Sequence, residues 1–108
     1  MTPAAAVRIL AAHADALDRP DIAAVSVQRD GHVSVHVSPV DADPARRALT
    51  CWQVAYALCG GVGLDVPDPS PHSLHVLGTL DGLTVDVWTP LVGVDSWMVA
   101  VPSLAVTA

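Results

Sequence analysis

Residues 72–90 read HSLHVLGTLDGLTVDVWTP, and most of the architecture follows from how they pair. Apolar and polar residues alternate on both sides of Asp81-Gly82, a dipeptide that favours a two-residue type I′ turn because both positions need positive φ. That turn sets Leu80 against Leu83 and Val76 against Val87 on one face. The other face then carries Thr79 opposite Thr84, Leu77 opposite Asp86 and His75 opposite Trp88. The first face belongs in a core, and the second is free for something else.

The same rhythm occurs earlier, in IAAVSVQRDGHVSVHVSP (22–39). Its inward residues are expected to be Val25, Val27, Val33, Val35 and Val37. Setting Val27 opposite Val33 requires a three-residue loop, Arg29-Asp30-Gly31, with Gly31 in a left-handed bulge. A two-residue turn would put Val27 against Ser34 and mix the faces. The phase of the valines therefore selects the bulged turn.

A helix precedes each hairpin. TPAAAVRILAAHADALD (2–18) has Thr2 as N-cap and Pro3 at the first helical position, with Val7, Leu10, Ala11, Ala14 and Leu17 as its apolar stripe. VDADPARRALTCWQVAYALCGG (40–61) is capped by Asp43, started by Pro44 and stopped by Gly60 or Gly61. Its polar stripe is narrow (Arg46, Thr50, Gln53), so it is expected to be the more buried helix.

The order helix–hairpin–helix–hairpin predicts an α+β fold made of two αββ repeats. They would form a four- to five-stranded antiparallel sheet with two helices on one face. One domain spans 1–108: a first unit over 2–39, a second over 40–90, and an apolar arm over 91–108 whose residues 94–101 are a candidate fifth strand. The proline-rich stretch VGLDVPDPSP (62–71) is extra linker in the second unit.

Composition narrows function by exclusion. Of 108 residues 52% are apolar and 15% charged, which is a folded and not a disordered chain. There is no Lys, Glu, Asn or Phe; eleven Asp face five Arg, for a net charge of −6. A chain without a basic footprint is not expected to bind nucleic acid or an anionic membrane surface. The N-terminus has no basic patch ahead of an apolar run, and no segment is long enough to span a bilayer, so a cytoplasmic location is expected. Cys51 and Cys59, eight residues apart on one helix, would lie about 12 Å apart, too far for a disulfide.

No motif of nucleophilic, phosphate-binding or zinc chemistry occurs. GGVG (60–63) follows a helix C-terminus, the wrong end of the dipole for a phosphate. Neither cysteine is placed to be a nucleophile. His36, His75 and Asp86 would make a two-histidine, one-carboxylate metal set if the hairpins converged. Arg46 and Arg47 could meet an anion or an acidic partner.

The stretch PARRALTCWQVAYALCGG followed by HSLHVLGTLDGLTVDVWTP resembles short uncharacterised proteins of Streptomyces-type prophages and mobile elements. In these a similar glycine-punctuated hairpin closes a small domain. The resemblance covers about residues 44–90, and implies an actinobacterial phage or mobile-element setting. It implies no activity, cofactor or catalytic residue.

The expected function is a non-enzymatic protein-interaction module, a homodimer or a binder of another protein, without cofactor. Its interface would comprise His36, Leu77 and Trp88 on the free sheet face and Trp97, Met98 and Val99 from the arm. The alternatives are a small-molecule or metal-binding domain using His36, His75 and Asp86, and an acidic inhibitor of a nucleic-acid-binding protein.

Overall fold

The computed structural model describes residues 1–38, 43–61, 63–66 and 72–91. The chain runs α1 (Pro3–Ala12), α2 (Ala14–Leu17), β1 (Ile22–Val27), β2 (Val33–Val37), α3 (Pro44–Cys59), β3 (Ser73–Leu80) and β4 (Leu83–Pro90). The fold is α+β. The first helix, expected unbroken, is split at His13, whose N–H bonds the Leu10 carbonyl at 3.0 Å in a tightened last turn. Its ring reaches the Asp81 carboxylate, 3.3 Å away.

Local chemistry sets the helix starts as expected. The Thr2 hydroxyl accepts the Ala5 N–H at 3.2 Å, and the Asp43 carboxylate accepts the Arg46 N–H at 2.8 Å, each just ahead of a proline. Gly60, at φ 77°, ends α3.

Both hairpins adopt the expected registers. Val27 faces Val33 across a loop closed by the Gln28 N–H on the His32 carbonyl at 2.7 Å, with Gly31 at φ 87°. Leu80 faces Leu83, with Asp81 at φ 50° and Gly82 at φ 83°, both positive as a type I′ turn demands.

The four strands lie in the order β1-β2-β4-β3, and here the expectation of an all-antiparallel sheet is corrected. The central pair, β2 and β4, is parallel, with Val33 beside Val85 and Val35 beside Val87. The cause lies in the linker. The N-terminal end of α3 lies by the end of the sheet where β4 finishes, since the Arg47 guanidinium reaches the Pro90 carbonyl at 3.4 Å. Its C-terminal end lies over Gly78, beside Cys59. The chain then meets the outer edge of β3, where Asp65 exchanges both backbone hydrogen bonds with Leu77 at 2.9 and 2.7 Å, and β3 itself begins at Ser73, beside Pro90. The second hairpin therefore enters from the end at which β2 finished, and β4 comes out parallel to β2. A parallel central pair is incompatible with a two-fold axis normal to the sheet, so the two units share an element order but not that symmetry.

One hydrophobic cluster underlies the helices. Val33, Val35 and Val37 of β2, Val85 and Val87 of β4 and Val76 of β3 meet Cys51, Val54 and Ala55 of α3, all buried. Four expected core residues are corrected, among them Ala11 and Ala14, which are exposed. Val25 is 40% exposed because β1 is an outer strand that no helix covers fully. Val7 is 53% exposed because the buried stripe of α1 is turned by one position, onto Ala6 and Leu10. Leu91 is buried and its N–H extends the β3–β4 ladder to the His72 carbonyl at 2.8 Å. The candidate fifth strand and the interface residues Trp97, Met98 and Val99 lie outside the described residues. Among the described residues no helix is long and apolar enough to cross a membrane.

Candidate functional site: the outer face of the sheet

The strand registers line up two rows of side chains on the face turned away from the helices. Across β1, β2, β4 and β3 the first row is Ala24, His36, Trp88 and His75; the second is Ser26, Ser34, Asp86 and Leu77. Period-2 alternation puts them there, because the valines between them on β2 and β4, Val35 and Val87, point into the core.

Trp88 is held between two imidazoles. The His36 ring stacks on it at 4.3 Å between centroids and 9° between planes, and the His75 ring at 5.8 Å and 13°. The indole N–H donates to the Ser34 hydroxyl at 3.0 Å. His75 is bonded at both ring nitrogens: Nδ1 lies 3.0 Å from each Asp86 carboxylate oxygen, and Nε2 lies 3.0 Å from the Ser73 hydroxyl. The carboxylate selects the tautomer in which Nδ1–H donates to it, leaving Nε2 to accept from Ser73. His36 differs, since its Nε2 is buried with no hydrogen-bond partner among the described residues. Stacking is what holds it.

This geometry corrects the metal reading. His75 and Asp86 meet, but His36 sits on the far side of Trp88, two strand spacings or about 10 Å from the His75 strand. The indole fills the space an ion would need. No cluster of three histidine, cysteine or acidic side chains suited to a metal occurs among the described residues. Ser73 was not among the expected site residues. Its signal was the S-x-H spacing, which puts two side chains on one strand face.

Elsewhere the chemistry is quieter. The Cys51 thiol is pushed far above its ordinary value, chiefly by burial and further by the charges of Asp86 and Asp21; burial also raises the Cys59 thiol. Neither presents a thiolate. Arg47 is used structurally, at the Pro90 carbonyl. Arg46 is exposed and borders an open cleft of about 650 Å³ opposite Arg19, itself held to Asp21 by two bonds of 2.9 and 2.8 Å.

Comparison of the chain with protein-family models, with curated proteins and with solved structures finds no match.

Proposed function

We propose that this chain is a protein-interaction module that works as a homodimer, in an actinobacterial phage or mobile element, by docking the outer face of its sheet. The observation that supports the reading is the His36–Trp88–His75 stack. Three parallel rings, tied down by Ser34, Ser73 and Asp86, make a rigid surface whose ordering cost is met before any partner arrives. Aromatic side chains of this kind anchor interfaces because they present large apolar area together with a polar edge. Leu77 adds an aliphatic neighbour in the next row. No helix or strand among the described residues covers this face.

The reading makes the wild type a dimer in sedimentation velocity across a wide concentration range. Leu77→Lys, a change on the solvent side of β3, moves it to monomer while the far-ultraviolet circular dichroism stays the same. A wild type that is monomeric at every concentration, or a Leu77→Lys dimer as tight as the wild type, refutes it.

A further inference from the structure

We propose that Ser73 is an activated nucleophile, and that Ser73, His75 and Asp86 form an acyl-transfer site for small activated esters. The connectivity carries the proposal. A hydroxyl, an imidazole and a carboxylate are joined in that order, with 3.0 Å from Ser73 Oγ to His75 Nε2 and 3.0 Å from His75 Nδ1 to Asp86. This is the arrangement that general-base activation of a serine requires: the carboxylate orients the ring and stabilises the imidazolium that forms. Such sets recur on unrelated folds, so they are recognised by geometry and not by a sequence motif.

The fold supplies each part for a physical reason. Ser73 and His75 are two residues apart on β3 and share its outer face, while Asp86 comes from β4, beside Leu77 in the register. Trp88 stacks on the imidazole and restricts its rotation, which makes it a positioning residue. The His75 side chain is 36% exposed and that of Asp86 16%, so the carboxylate is the more sheltered of the two, and Ser73 is half-buried.

An oxyanion needs a donor, and the alternation of the β3 ladder decides which way one points. The Leu77 N–H and carbonyl point away from β4, towards Asp65. Antiparallel alternation therefore turns the Ser73 N–H the same way, beside its own hydroxyl. Attack would proceed as Ser73 Oγ bonds to the ester carbonyl carbon, its proton passing to His75 Nε2 and the carbonyl electron pair to oxygen. The tetrahedral species collapses, the bond to the alcohol oxygen breaks, and His75 returns the proton to the departing alkoxide. Water then attacks the Ser73 ester with His75 again as base, releasing the acid and restoring the hydroxyl. A missing oxyanion donor costs about 10²–10³ in rate, so with one backbone donor the turnover expected is slow, and covalent capture is the better readout.

The full chain is treated with a fluorophosphonate, whose phosphorus bonds to a basic serine oxygen as fluoride leaves, and the label is mapped by peptide mass spectrometry. Labelling is expected at Ser73, absent in Ser73→Ala, about 100-fold slower in His75→Gln, and unchanged in His13→Gln. Asp86→Asn slows it while circular dichroism reports an intact fold. The proposal does not rest on docking, and the labelling is read on a sample whose assembly state sedimentation has fixed, with Leu77→Lys labelled alongside it. No label at Ser73, or a label whose rate ignores His75→Gln, overturns it.

Discussion

β1 and β3 are the two outermost strands, each paired on one side to a central strand, yet the molecule treats them differently. Leu74, Val76 and Leu80 of β3 are buried, and Gly78 lets α3 approach so closely that a Cβ there would lie 2.9 Å from Cys59 and from Leu64. The free edge of β3 is met by Asp65. No residue of β1 is buried, its ladder to β2 is interrupted by an irregularity at Ala23, and its sequence IAAVSV holds neither charge nor proline. A strand symmetric in position is not symmetric in protection. On β3 the cover comes from packing; on β1 the deterrent to edge-on pairing is a bulge.

The sharpest way to break this contrast is Gly78→Val. Its added carbons meet Cys59 and Leu64 in a packed core, and a loss of about 3 kcal/mol in urea unfolding is expected. A change below 1 kcal/mol would mean that α3 can lift from β3 at little cost. A smaller effect, confined to the same side of the sheet, comes from pH. The Cys51 thiol is raised in the folded state, so its stabilising contribution is complete below the ordinary thiol value of 9.0 and is lost as pH rises above it. Alkaline unfolding should therefore steepen by up to about 1.4 kcal/mol per pH unit, and Cys51→Ala should remove that slope. The smallest effect is expected on the other side. Val25→Lys, at a site 40% exposed, should change stability by no more than about 0.5 kcal/mol and leave the proposed dimer intact. Loss of the proposed dimer in that variant would move the proposed interface from the sheet face to the β1 edge.

What was legible in the sequence was what neighbours decide. Val27 and Val33, or Leu80 and Leu83, fix a turn between them because only one loop length keeps valines and leucines on one side. The residues of the outer face were legible for the same reason, including His75 beside Trp88. Strand direction was not, because it depends on which end of the sheet the chain reaches before it enters β3. Residues 62–71 were read as linker, but their length carries no local signal of the return marked by Asp65 and Leu77. The burial of Val25 was misread because alternation reports a face and not its cover. Ser73 was overlooked since a serine two before a histidine gains meaning only when Asp86 arrives from the neighbouring strand.

The parallel join of β2 to β4 also sets the order in which the molecule can assemble. Each hairpin closes a loop of a few residues, a microsecond event. Bringing Val33 beside Val85 closes nearly half the chain and, by the logarithmic dependence on loop length, costs about 2 kcal/mol more in entropy than either turn. Nothing repays that cost until the valines of both central strands meet beneath α3. The hairpins are thus the early species in refolding, and the barrier lies where the central strands meet. Until then both hairpins expose a row of valines and an unpaired backbone edge, so crowded refolding, more than the finished fold, is where this chain is most exposed to aggregation.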